Sequence, residues 1–132
     1  LLDSNGMIPN DYKLNFINGE LEFVYVSIDR EGKNYRKIYS TDWKPLYFKW
    51  ANKNKINNVK IGPEIQKPKS FNKMKEFGEK IAKLFPYVRV DFYDVDGQLY
   101  FGEITLCHGG GFFRFEPQEY DFRFGDKLTN IC

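Results

Sequence analysis

The sequence predicts an α+β fold in which antiparallel β-hairpins are backed by one helix, and three observations predict it. Two stretches of alternating apolar residues fold back on themselves, one at Asn18-Gly19 and one at Asp96-Gly97. Between them, from Phe71 to Phe85, the apolar residues take helical spacing instead. The chain has 132 residues, the size of one compact domain, and 42% hydrophobic residues with 18% aromatics are enough for a core.

In the first hairpin Tyr12, Leu14 and Phe16 share a face before the turn, and Val24, Val26 and Ile28 share one after it. Asn-Gly readily supplies the positive φ angles of a two-residue type I′ turn. A turn from Asp29 to Lys33, containing Gly32, leads into a short strand near Tyr35 to Tyr39. From Thr41 to Pro68 the chain holds Pro45, Pro63 and Pro68 among many Asn and Lys residues, and reads as a long irregular connection. Ser70 is the expected N-cap of the helix, whose apolar positions are Phe71, Met74, Phe77, Ile81, Leu84 and Phe85 and which Pro86 stops. The second hairpin runs from Val88 to Asp94 and from Gln98 to Leu106. Gly109-Gly110-Gly111 ends it, and an aromatic tail from Phe112 to Cys132 follows.

Composition excludes several function classes. Net charge is +2, from 20 basic and 18 acidic residues spread along the chain, so no nucleic-acid footprint stands out, and the Lys-rich stretch from Lys49 to Lys60 reads as a solvated loop. No apolar run approaches the roughly 20 residues of a bilayer-spanning helix, and the opening residues lack a signal peptide's apolar segment. A cytoplasmic protein with no integral membrane segment is expected. Cys107 and Cys132 form no C-x-x-C pattern, which argues against zinc and against a disulfide scaffold. The chain begins with Leu1 and its first element starts near Tyr12, so an upstream part is expected to precede it.

The chemistry is concentrated in the second hairpin. With a three-residue loop, Val95-Asp96-Gly97, and Gly97 in a left-handed bulge position, Asp94 pairs with Gln98 and Arg89 lies opposite Glu103. Asp91 then faces Phe101 and is diagonal to Glu103, about 7–8 Å away. One side carries Val88, Val90, Phe92, Tyr100 and Ile104, fit to pack on the helix; the other carries Arg89, Asp91, Glu103 and Thr105. Two carboxylates at that separation repel by about 2 kcal/mol at an effective dielectric near 20. A magnesium ion held by oxygen ligands relieves that repulsion and creates a phosphate-binding centre. The competing reading is structural: Arg89 neutralises Glu103 and Asp91 faces solvent. A two-residue loop shifts the register by one and sends Asp91 and Glu103 to opposite sides. On the metal reading, Asp91→Asn and Glu103→Gln cost activity far more than stability.

Three other patterns point elsewhere. Asp94-x-Asp96 has the spelling of a glycosyltransferase metal motif, but sits at a tight turn where Asp is favoured for local hydrogen bonding. Phe92 to Glu103 matches part of a calcium loop, but Phe92 stands where an oxygen ligand is required. His108-Gly109-Gly110-Gly111 spells an esterase oxyanion loop without any G-x-S-x-G nucleophile elbow.

The stretch Val88-Arg89-Val90-Asp91-Phe92-Tyr93, then Asp96-Gly97, then Tyr100-Phe101-Gly102-Glu103-Ile104-Thr105-Leu106 resembles the closing hairpin of ATP-grasp enzymes, including the D-alanyl-D-alanine ligases. Together with Asn10-Asp11-Tyr12-Lys13, Asn18-Gly19-Glu20, Asp29-Arg30, Asp42-Trp43, Gly111-Phe112, Asp121 and Gly125, in this order, it resembles the TupA-like ATP-grasp family from Asp11 to Leu128. The resemblance implies the later part of an ATP-grasp catalytic domain. It implies an enzyme that uses ATP and Mg²⁺ to activate a carboxylate as an acyl phosphate and joins it to an amine or similar nucleophile, in cell-surface polysaccharide synthesis. Its partners are then the nucleotide and a small-molecule or saccharide-linked carboxylate. By the same resemblance Asp91 and Glu103 match magnesium ligands, with Thr105 where related ligases carry Asn. Arg89 matches a cation at the transferred phosphoryl group, and Lys13 and Arg36 match phosphate contacts. The region before the glycine run departs from the family's Pro-containing loop. Residues 1–132 are then the carboxy-terminal portion of the domain, expected to bind Mg²⁺-ATP weakly by themselves. The rival readings are a glycosyltransferase and a carbohydrate-binding module that stacks sugars on Trp43, Tyr47 and Trp50.

Overall fold

The computed structural model describes residues 2, 4–30, 33–46, 49–52, 60–61, 64–106 and 113–116. In chain order they form β1 (Asp11–Ile17), β2 (Glu20–Arg30), β3 (Lys33–Tyr39), β4 (Pro45–Leu46), β5 (Lys49–Asn52), β6 (Lys60–Ile61), α1 (Phe71–Ala82), β7 (Tyr87–Val95), β8 (Gln98–Thr105) and β9 (Phe113–Glu116). One seven-stranded sheet runs β4-β3-β2-β1-β7-β8, with β6 also pairing along β3, while β5 and β9 make a separate two-stranded sheet. The fold is α+β, as the sequence predicts. Antiparallel pairing of β1 with β7, with Leu14 opposite Val90, fuses the two hairpins into one sheet.

Alternation decides which face meets the helix. Tyr12, Leu14, Phe16, Val24, Val26, Ile28, Val88, Val90 and Phe92 all lie on one side and pack with Phe71, Met74 and Ala82 of α1. Burying a side chain of this size stabilises the fold by about 1.5–3 kcal/mol. The helix is shorter than its sequence pattern and slightly rotated from it. It ends at Ala82 and not at Phe85, and Phe77 and Leu84 are exposed, because the inward stripe is Phe71, Met74, Gly78 and Ala82. Gly78 allows the close approach: a Cβ there would lie 2.4 Å from Cζ of Phe16. Ser70 occupies the N-cap position but makes no capping bond with its side chain. Its hydroxyl and backbone N–H both donate to Oδ2 of Asp94, at 2.6 and 3.0 Å, so a carboxylate from β7 stands at the positive end of the helix.

The connection from Thr41 to Pro68 is less irregular than its composition predicts. It contributes β4, β5 and β6, two of which pair along β3. These are pairings of two to four residues, too short to leave a period in the sequence. Trp43 is not an exposed stacking surface. It stacks on Tyr39 with centroids 4.2 Å apart, meets Phe71 edge-on at 5.1 Å, and donates Nε1–H to the carbonyl of Ile65 at 2.9 Å. Tyr47 and the side chain of Trp50 lie outside the described residues, as do Cys107, Cys132 and the stretch from His108 to Gly111.

The second hairpin corrects the sequence reading at its tip. Its loop has two residues, Asp96 and Gly97, both at positive φ (54° and 87°), with Val95 opposite Gln98. Aspartate tolerates the left-handed region, so the shorter turn is accessible. The register near the tip is therefore one residue off the expected one. Phe101 stands opposite Phe92 on the helix-facing side, with ring centroids 6.2 Å apart, and Tyr100 stands opposite Tyr93 on the other side. A bulge then adds a second shift of one residue in the same direction, which restores the facing but not the expected pairing: Phe92 pairs with Phe101, Val90 with Ile104, and Arg89 with Thr105 instead of Glu103. The extra residue lies at Gly102-Glu103, opposite Asp91. Gly102 suits it, because a Cβ would lie 3.0 Å from the Asp91 carbonyl oxygen and 3.1 Å from the Tyr93 ring.

Candidate functional site

The sheet's second face carries charge and is largely withdrawn from water. On β1 it presents Asp11, Lys13 and Asn15, and on β7 Arg89, Asp91 and Tyr93, with Lys13 directly opposite Asp91 and Asn15 opposite Arg89. Asp91 is the hub. Its Oδ1 accepts Nε–H of Arg89 at 2.8 Å, and its Oδ2 accepts Nη2–H of Arg89 at 2.9 Å and the Lys13 ammonium at 3.0 Å. The same Arg89 Nη2 reaches Oε1 of Glu103 at 3.2 Å, and Lys13 also donates to Oδ2 of Asp11 at 2.6 Å. The bulge thus returns Glu103 to the face of Arg89 and Asp91 despite the two-residue loop. Thr105, opposite Arg89 in register, shares that face.

Both readings of Asp91 drawn from the sequence need correction. It is neither solvent-exposed nor left to repel Glu103: its side chain is 3% exposed and paired with both Arg89 and Lys13, whereas that of Glu103 is 67% exposed. Two cations face three carboxylates, leaving one formal negative charge if all five ionise. Oδ1 of Asp11 is buried and makes no hydrogen bond among the described residues. Burial raises the Asp11 pKa above its usual 3.8, with the Lys13 ammonium pulling the other way. The nearby Asp11 charge in turn pushes the Tyr93 hydroxyl above its ordinary value. A cleft of about 360 Å³, lined by Asp11, Asp91, Tyr93, Phe101, Gly102 and Glu103, opens over these groups.

The hairpin that carries this cluster is the one singled out in the sequence, and the wider match is unambiguous. A model of the TupA-like ATP-grasp family matches residues 3–129. The chain belongs to the TupA-like ATP-grasp family. No curated protein and no solved structure matches it. ATP-grasp membership suggests an ATP-dependent ligase in general terms, and no helix among the described residues is long and apolar enough to cross a membrane.

Within this ATP-grasp chain, the residues expected to act together are mostly brought together. Arg89, Asp91, Glu103, Thr105 and Lys13 converge. Arg36 lies two strands away on β3 and donates to the Tyr25 hydroxyl, with its guanidinium 5.3 Å from the Tyr25 ring centre; Tyr25 is itself opposite Lys13. Burial raises the Tyr25 pKa, against the pull of Arg36 and Lys13. Sequence reasoning missed Asp11 and the Asn15–Tyr87 bond, in which the Tyr87 hydroxyl donates to Oδ1 of Asn15 at 2.9 Å. The alternation in β1 already set Asp11, Lys13 and Asn15 opposite the apolar face. Only the pairing of β1 with β7 shows what they meet.

Asp94 and Asp96 are committed to the fold. Asp94 accepts from Ser70 and from the Gly97 N–H at 2.8 Å, and Asp96 accepts from the Ser4 N–H and hydroxyl at 3.0 and 3.1 Å. Among the described residues no three His, Cys, Asp or Glu side chains gather into a metal cage. Magnesium does not need one, since it is commonly held by one or two carboxylates with water and phosphate oxygens completing the shell. The hard oxygen donors here fit that pattern. Asp91 Oδ1 accepts one hydrogen bond and so keeps a lone pair, Oδ1 of Asp11 has no hydrogen-bond partner among the described residues, and Glu103 is exposed enough to turn into the cleft.

Proposed function

We propose that the chain is a Mg²⁺-dependent ATP-grasp ligase acting in the cytoplasm on a small-molecule or saccharide-linked carboxylate of cell-surface polysaccharide biosynthesis. The observation that supports it best is the Arg89, Asp91, Lys13 and Glu103 cluster, on the hairpin of a family whose chemistry needs carboxylates and fixed cations side by side. Asp91 and Glu103, with Thr105, are the residues to hold magnesium. When bound, the ion neutralises phosphoryl oxygens as charge shifts among them.

In the first step a substrate carboxylate oxygen bonds to the γ-phosphorus as the bond to the ADP oxygen breaks. In the second, the amine nitrogen bonds to the acyl carbon, phosphate leaves with the electron pair of the C–O bond, and the amine gives up a proton. Arg89 faces the transferred phosphoryl group. Its two bonds to Asp91 fix the guanidinium before reaction, and preorganised charge needs no reorganisation as the transition state forms. Lys13 contacts phosphate, and Arg36 stands further along the same face. Residues 1–132 then form the carboxy-terminal, acidic half of the nucleotide site, and isolated they bind Mg²⁺-ATP weakly.

The test is ADP release by the full-length protein and its Glu103→Gln variant. Turnover is expected to fall by roughly a hundredfold, with the unfolding midpoint unchanged. Unaltered turnover would remove Glu103 from the site and the reading with it.

A further inference from the structure

The position of Lys13 is unusual for a phosphate-binding cation. Its ammonium is held between two carboxylates, 2.6 Å from Oδ2 of Asp11 and 3.0 Å from Oδ2 of Asp91, and its side chain is only 15% exposed. It occupies the space where those two carboxylates would otherwise converge. Asp11 differs from an ordinary ion-pair partner in one respect. It meets Lys13 through one oxygen, while its other oxygen is buried without a hydrogen bond among the described residues. A buried carboxylate oxygen with no donor is costly, and a cation is the ligand that relieves it. Both carboxylates line the cleft that Glu103 also borders.

We propose that Asp11 is a third cation-binding carboxylate of this cleft and that Lys13 is its built-in competitor, yielding its place between Asp11 and Asp91 to a divalent cation and turning toward phosphate. The proposal rests on the magnesium site of the preceding section and adds to it a residue and an exchange. Lys13 keeps Asp11 and Asp91 neutralised when no other cation serves them. Once displaced it becomes available for the anion that arrives with the metal. The exchange makes divalent cation and nucleotide phosphate bind in concert, because the ammonium cannot serve the carboxylates and the phosphate at once.

The exchange has a signature that a structural role does not share. Removing the ammonium should tighten metal binding in the absence of nucleotide. Mn²⁺ alone, titrated into the full chain and followed by its paramagnetic resonance signal, reads this directly. Lys13→Met and Lys13→Gln are expected to bind Mn²⁺ about tenfold more tightly than the wild type, by loss of one competing charge at contact distance. Lys13→Arg, which keeps the charge, stays near wild type, and Asp11→Asn binds severalfold more weakly. Circular dichroism confirms the fold of each variant, and the two neutral Lys13 variants guard against misfolding of either one. If the wild type binds Mn²⁺ but both neutral variants bind it equally or more weakly, the exchange is overturned while the metal site stands. If the wild type binds no Mn²⁺ at all, the metal site fails and the exchange with it.

Discussion

The inner hairpin, β1 with β2, and the outer hairpin, β7 with β8, obey the same local rules and end up in different circumstances. Each turns on two residues at positive φ, Asn18-Gly19 and Asp96-Gly97, and each has one bulge on its returning strand. The inner hairpin is flanked by β3 and β7, and its apolar residues are almost wholly buried. The outer hairpin has one such strand, β7. Its second, β8, is the sheet edge among the described residues and leaves Tyr100, Phe101 and Ile104 largely exposed. Asp91 and Glu103 look like equivalent carboxylates in sequence, yet one lies on the enclosed strand and the other on the edge. Position in the sheet decides whether a carboxylate lining the cleft is also a structural one.

The largest expected effect tests that difference. Asp91→Ala leaves Arg89 and Lys13 without their shared partner in a buried setting, and is expected to cost about 3–5 kcal/mol of stability. Glu103→Gln, on the exposed edge, is expected to change stability by no more than about 0.5 kcal/mol. Chemical denaturation of both variants provides the comparison. Similar, small losses would show that Asp91 is as dispensable to the fold as Glu103, and would restore the expectation from sequence that neither substitution harms stability.

A smaller effect separates the tip of the outer hairpin from its site. Asp94→Ala removes three hydrogen bonds to a carboxylate, two from Ser70 and one from Gly97, and unties the turn from the start of α1. A loss of about 1.5–3 kcal/mol is expected. Combined with Asp96→Ala it should leave metal affinity intact, because neither carboxylate lines the cleft. Loss of Mn²⁺ binding in a folded double variant would revive the glycosyltransferase reading of Asp94-x-Asp96.

These predictions follow the line between what was legible in sequence and what was not. Hairpins, helix and apolar face were legible because period and turn chemistry are local: Asn18-Gly19 and the run Val88, Val90, Phe92 suffice. The common face of Arg89, Asp91 and Glu103 was reached by a three-residue loop that does not exist, and it survives because the Gly102-Glu103 bulge compensates for the shorter turn. A bulge leaves little trace in one sequence beyond a glycine in a strand. Asp11 and the burial of Asp91 were not legible, since both depend on β1 lying beside β7, where Lys13 meets Asp91, 78 residues away along the chain.

Within the inner hairpin, the contact with the helix is tight enough to reverse a usual substitution rule. Glycine to alanine inside a helix ordinarily stabilises by about 1 kcal/mol. At Gly78 the new methyl would stand 2.4 and 2.6 Å from two atoms of the buried Phe16 ring, forcing ring or helix to shift. Overpacking of this kind costs about 1–3 kcal/mol, so Gly78→Ala is expected to destabilise by about 1 kcal/mol net. A gain in melting temperature would mean that Phe16 moves freely and that the inner hairpin is less rigid than its burial implies.

The smallest effect lies on the seam between the hairpins. The Tyr87 hydroxyl donates to Oδ1 of Asn15, both side chains are buried, and burial pushes the Tyr87 pKa well above its ordinary 10.0. At neutral pH Tyr87→Phe leaves Oδ1 of Asn15 without this donor and is expected to cost about 1 kcal/mol. Alkaline pH reveals the second consequence. Above 10.0 the unfolded chain gives up the tyrosine proton while the folded chain keeps it, so the unfolded state binds fewer protons and stability falls as pH rises. This contribution is present in full below that pH and is lost above it. Tyr87→Phe removes it, so the variant should lose stability less steeply between pH 10 and 12, although Tyr25, raised in the same direction, keeps the slope from vanishing. Denaturant midpoints of the two proteins across that range measure the slopes. Parallel slopes would mean that Tyr87 ionises as readily in the folded protein as in the unfolded one, and that the seam is open to water.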